Sequence, residues 1–153
     1  GKAKGRRFGG HLCHAAPLKG SEMTPFGAKM RALRRTRNLT QQQQADYLGV
    51  SKAYISALEN GARGRPSGPF VDQICAWLGL IWDDAEDLKA LANMSHPKPT
   101  IDASRCGPEA VYLANLLAQT IGRFDAEQCG KISAFIETHS DAEKGTQNDA
   151  GLI

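Results

Sequence analysis

The 153-residue sequence contains no run approaching 18 consecutive apolar residues, so no membrane-spanning helix is expected. Basic residues near the N-terminus are not followed by an apolar stretch, because Gly9-Gly10-His11-Leu12-Cys13-His14 breaks it up, and a secretory signal is not expected either. The four cysteines, Cys13, Cys75, Cys106 and Cys129, are widely spaced and include no CxxC pair. The usual signature of a structural zinc site is therefore missing, and free thiols in a reducing cytosol are expected. His11, His14, His96 and His139 are scattered, and no acidic cluster has metal-ligand spacing. The reading is of a protein without metal, cofactor or catalytic residues. Strand signals are almost absent and there is no internal repeat, which leaves an all-α chain.

What is present is enough apolar material for a core, 41% of the residues, and an uneven distribution of charge. The net charge of +3 says little by itself. Residues 1–22 carry five Lys or Arg against Glu22, a net +4. Residues 23–66 carry eight (Lys29, Arg31, Arg34, Arg35, Arg37, Lys52, Arg63, Arg65) against Asp46 and Glu59, a net +6. Residues 67–153 carry six against thirteen, a net −7. A basic part joined to an acidic part is the electrostatic pattern of a DNA-facing region attached to one that faces something else.

Residues 1–22 are rich in Gly, Lys and Arg without periodicity and read as a disordered basic tail or an appended tag, with Met23 as a start. Thr24-Pro25 opens a helix in which Phe26, Met30 and Leu33 recur at helical spacing while Arg31, Arg34 and Arg35 lie largely off that stripe. Thr40 with Gln43 forms a capping-box pattern for a second helix, Gln41 to Leu48, which stops at Gly49. Ser51 caps a third helix that ends at Asn60-Gly61. Residues 63–69 read as a Pro/Gly loop. A fourth helix with Phe70, Ile74, Trp77 and Leu78 ends at Gly79, and after the apolar joint Leu80-Ile81-Trp82 a fifth begins with Asp83 as its cap and fades by Met94. The expected organisation is a DNA-binding domain at 23–94, a proline-stiffened linker at 95–107, a helical element at 108–137 and a flexible tail at 138–153.

The segment Leu39–Gly61 reads LTQQQQADYLGVSKAYISALENG. Two short helices meet through a glycine, the small Ala45 lets them pack closely, and Leu48, Val50, Ile55 and Leu58 face inward. Lys52, Ala53, Ser56 and Ala57 remain outward, a short polar face suited to a major groove. With the first-helix run Arg31-Ala32-Leu33-Arg34-Arg35, Leu39-Thr40-Gln41, Ala45, Leu48-Gly49-Val50-Ser51, Ile55-Ser56 and Leu58-Glu59-Asn60-Gly61, residues 26–92 resemble the lambda-repressor and Cro-like helix-turn-helix family, specifically its XRE branch.

The resemblance implies a five-helix domain acting as a transcriptional regulator, usually as a homodimer on a two-fold double-stranded DNA operator. It implies that Lys52, Ala53, Ser56 and Ala57 read bases and that Gln41, Ser51, Asn60, Arg63 and Arg65 contact the backbone, with entry into a narrow minor groove as the alternative for Arg63 and Arg65. One departure stands out: Gln44 occupies a position usually filled by leucine. A glutamine in a helix–helix seam needs hydrogen-bond partners, found toward the chain end or toward the polar first helix. Glu59 is expected to pair with a first-helix arginine such as Arg35.

Pro108 opens a strongly apolar helix with Val111, Leu113, Leu116, Leu117 and Ile121, and Asp125 caps a last one with Ile132, Phe135 and Ile136. Two such helices cannot form an independent core in a monomer. They pack on the first domain or on a second chain, and dimerisation is the favoured reading. The alternative function is an antitoxin-type protein, which binds both its operator and a basic protein partner through the acidic half. Either role belongs in the cytoplasm, at the nucleoid when DNA is bound.

Overall fold

The computed structural model describes residues 23–141, and the expectations for 1–22 and 142–153 lie outside them. Every regular element among the described residues is helical. The chain divides between Pro99 and Thr100 into two compact units.

The first unit holds α1 (Pro25–Thr36), α2 (Gln41–Leu48), α3 (Lys52–Glu59), α4 (Gly68–Leu78) and α5 (Asp83–Asn93). Their beginnings follow from capping chemistry. Thr24 Oγ1 accepts from the Gly27 amide at 3.1 Å, with Pro25 in the first turn. Thr40 and Gln43 form a complete capping box. Ser51 Oγ accepts from the Tyr54 amide at 3.0 Å. Ser67 caps α4, whose first two residues are Gly68 and Pro69. The helix therefore starts inside the segment expected to be loop, because proline in the first turn needs no amide hydrogen.

Asp83 does not cap α5. The N-cap is Trp82, at φ +53° and without a side-chain capping bond. Asp83, Asp84 and Glu86 occupy the first turn instead, where carboxylates favour the positive end of the helix dipole.

Phe26 and Met30 from α1, Leu58 from α3, Val71, Ile74, Cys75 and Leu78 from α4, and Leu88 and Ala92 from α5 form one buried cluster. The apolar joint after α4 is split: Leu80 is buried, whereas Ile81 and Trp82 are 66% and 82% exposed. Beyond α5, Ser95 is buried, accepts from the Phe26 amide at 2.9 Å and donates to the Leu91 carbonyl. The first unit thus continues past Met94.

The second unit holds α6 (Pro108–Thr120), a 3-10 turn (Ile121–Arg123) and α7 (Ala126–Asp141). Gly122 falls in the turn, where the sequence interrupts its apolar helix. Asp125 and Gln128 start α7 reciprocally: Asp125 Oδ1 accepts from the Gln128 amide at 2.8 Å, and the Asp125 amide donates to Gln128 Oε1 at 3.0 Å. No residue of α6 is buried. Polar residues 138–141 continue α7 one turn beyond the expected fraying point at Thr138.

Candidate nucleic-acid interface

The turn between α2 and α3 depends on backbone conformation. Gly49 sits at φ +66° and a Cβ there would touch nothing, so its glycine serves the left-handed geometry and not a close approach. The Val50 amide then returns to the Ala45 carbonyl at 3.0 Å. Ala45, Ile55 and Leu58 are buried in the α2–α3 seam.

On the outer side of α3, Lys52 and Ala53 are exposed and Ser56 and Ala57 are half-buried. Residues four apart share a helix face, so Lys52 with Ser56 and Ala53 with Ala57 make two adjoining rows of mostly short side chains. Tyr54 turns aside and meets Phe70 edge-on, with ring centroids 5.9 Å apart. The Arg63 guanidinium lies 5.7 Å from the Tyr54 ring centroid, which holds this loop arginine beside α3. Arg65 donates to Asn93 Oδ1 at 3.3 Å, and Asn60 is exposed at the end of α3. The Ser51 hydroxyl is occupied in capping, and the start of α3 is exposed. Gln41, half-buried at the first position of α2, donates through Nε2 to Glu59 Oε2 at 3.3 Å.

Glu59 is the hub behind this face, and its partner is Arg34, not Arg35. Arg34 is buried and makes a two-pronged ion pair: Nη1 donates to Glu59 Oε1, and Nη2 to Oε2 at 3.2 Å. Arg34 Nη1 also donates to Gln44 Oε1 at 2.6 Å. The seam glutamine therefore faces the first helix, and Arg35 stays exposed. The Glu59 carbonyl accepts from the Thr24 amide at 3.0 Å and from Thr24 Oγ1 at 3.1 Å. Gly27 permits that junction, since a Cβ on it would lie 2.2 Å from the Glu59 carbonyl oxygen.

Two of these residues escaped the sequence reading. Arg34 was detectable by spacing, because it lies four residues after Met30 and eight after Phe26 on the buried stripe; its charge argued the other way. Nothing in the pattern marks Gly27. With Glu59 matched internally by Arg34, residues 23–66 present seven exposed Lys or Arg against the exposed Asp46. Among the described residues no group of three His, Cys, Asp or Glu side chains is arranged to hold a metal ion. No described helix is long and apolar enough to cross a membrane. The residues assigned to dimerisation all lie in the second unit.

Two short capped helices joined by a left-handed glycine, with an open face on the second and basic residues around it, define a helix-turn-helix DNA-binding protein. Residues 25–92 match the family model described as "Helix-turn-helix domain". An uncharacterized HTH-type transcriptional regulator of Bacillus subtilis, RghRB, is 39% identical over 102 residues, covering 65% of this chain and 70% of that protein. The HTH-type transcriptional repressor RghR of the same organism is 43% identical over 61 residues, covering 40% of this chain and 45% of that one. No solved structure matches. The chain belongs to the lambda-repressor/Cro-like helix-turn-helix family, in its XRE branch, and is a DNA-binding transcriptional regulator.

Proposed function

We propose that the protein represses transcription by occupying an inverted-repeat operator as a homodimer. In this reading Lys52 donates to guanine O6 or N7, Ala53 meets a thymine methyl, and Ser56 and Ala57 line the next turn of the groove. Gln41, Ser51, Asn60, Arg63 and Arg65 grip phosphates on either side. The observation that carries it is the open Lys52/Ala53/Ser56/Ala57 face, fixed from behind by the buried Arg34–Glu59 pair and bordered by basic side chains. Likeness to a protein named as a repressor supports the direction of control.

Pairing through α6 and α7 is supported by their uncovered apolar residues. Val111, Leu113, Leu116, Ile121, Phe135 and Ile136 are all more than two-fifths exposed, and Leu117 and Ile132 are half-buried. Val111 and Leu116, with Tyr112, also line an open groove along α6 of about 700 Å³. Selection from a random duplex pool, followed by footprinting, tests the reading. The expected product is an imperfect inverted repeat with half-site centres about 34 Å apart. Equal affinity for the selected and a scrambled duplex at ~0.15 M salt overturns it.

A further inference from the structure

Gln44 is a polar side chain 1% exposed, beside the buried Ala45 and against the buried Arg34 of the first helix. Buried side-chain amides are as a rule hydrogen-bonded. Here its oxygen serves Arg34. The Nη1 nitrogen of a guanidinium has two hydrogens. One goes to Glu59 Oε1 and the other to Gln44 Oε1, while Nη2 reaches Glu59 Oε2. That same Oε2 accepts from Gln41 Nε2. A continuous chain of hydrogen bonds thus runs from Gln44 through Arg34 and Glu59 to Gln41.

We propose that Gln44 is a positioning residue for DNA binding: it fixes the Arg34 guanidinium so that Glu59 holds the Gln41 side chain in its DNA-facing pose. With an apolar residue at position 44, one Nη1 hydrogen loses its acceptor in a buried seam. The guanidinium then turns to recover a partner, and Glu59 is the acceptor already within its reach. Any rotation of the Glu59 carboxylate moves Oε2 away from Gln41, which becomes free to rotate. The inference rests on the reading of Gln41 as a phosphate contact.

The test uses the full chain with Gln44→Met, which keeps length and replaces the carbonyl acceptor with a weakly accepting thioether, and Gln44→Leu where Gln44→Met fails to fold. The side-chain amide NMR signals of Gln41 are recorded without DNA, and affinity is measured on the selected operator duplex. The Gln41 signals are expected to move to the values of a freely rotating glutamine, and affinity to fall about fivefold, the scale of one hydrogen bond. In a Gln41→Ala background the same substitution is expected to change affinity less than about twofold, the signature of coupled residues. A residue that only fills the seam lowers affinity by the same factor in both backgrounds, and that result overturns the inference. Gln41 signals unmoved by Gln44→Met overturn it alone. A Gln41→Ala chain that binds as wild type overturns the phosphate role of Gln41, and this inference with it.

Discussion

Arg34 and Glu59 are charged groups removed from water, and only their mutual geometry makes that burial tolerable. Removing one partner leaves the other charge buried and alone. Arg34→Ala is therefore expected to destabilise the fold by about 3–5 kcal/mol. Arg35→Ala, one residue away and exposed, is expected to change stability by less than about 0.5 kcal/mol. Urea denaturation of both variants checks the contrast; equal losses remove Arg34 from its special place. Cys75 gives a second test at this scale. Burial pushes its thiol pKa above the usual value, with Asp72 and Glu86 adding to the rise and Lys89 opposing it. The thiolate, the reactive form, is thus scarce at neutral pH. Alkylation in the native protein should modify the exposed Cys106 within minutes and Cys75 only as the protein unfolds. Rapid loss of the Cys75 thiol without unfolding contradicts the packing. On DNA, Lys52→Ala is expected to cost about 1–3 kcal/mol and to relax preference at one base pair per half-site, while Arg63→Ala weakens binding evenly across sequences. Site selection by each variant compares them, and an unchanged base preference in Lys52→Ala makes Lys52 a phosphate contact or a bystander.

At the scale of the element, most starts and stops were readable because caps are local chemistry. Thr24-Pro25, the Thr40/Gln43 box, Ser51, Gly49 and Asp125 each act on amides or dihedrals within a few residues of themselves. What could not be read locally depends on a neighbouring helix. Asp83 looked like a cap by residue type, but the chain leaves Leu80 for α5 through Trp82 at positive φ, so the cap position falls one residue earlier. Arg34 falls on the buried stripe by its spacing, but naming Glu59 as its partner required knowing which side of α1 the end of α3 approaches. Gln44 could be flagged as anomalous from sequence, yet its partner lies ten residues back on another helix. Gly27 is the clearest such case, because its role is an approach of α1 to the end of α3. Gly27→Ala improves local helix propensity by ~1 kcal/mol, but the added methyl overlaps a backbone carbonyl. Forced shifts of packed backbone outweigh that gain, and a net loss of about 1–3 kcal/mol is expected. A thermal melt of Gly27→Ala at or above the wild-type midpoint shows that the junction can open without penalty.

For the whole molecule, one recognition helix reads only a few base pairs, too few to single out one site in a genome. Pairing doubles the contacts, and tethering makes the second engagement effectively intramolecular. Among the described residues, the exposed apolar side chains that bear on pairing lie around Ile81–Trp82 in the first unit and on α6 and α7 in the second. In the first unit, Ile81 and Trp82 are followed by Asp83, Asp84, Glu86 and Asp87, all exposed. A two-fold contact there sets each patch against its own copy, bringing like charges together. In the second unit the apolar residues of α6 and α7 spread over both helices, with Leu113 53% and Phe135 65% exposed. Burial against an identical surface removes that patch from water and closes the assembly. Sedimentation of the full chain and of a chain ending at Pro99 separates the two surfaces. The full chain is expected to be a dimer at ~10 μM and the shortened one a monomer with weaker operator affinity, since only the former has tethered heads. The cut is placed at Pro99 because Ser95 bonds to the start of α1, and ending at Met94 removes a partner of the Phe26 amide. Leu116→Glu with Phe135→Glu in the full chain should reproduce the monomer without shortening the protein. A Pro99-terminated chain that still dimerises moves the interface to the first unit, and a full-length monomer at that concentration removes the pairing role of α6 and α7.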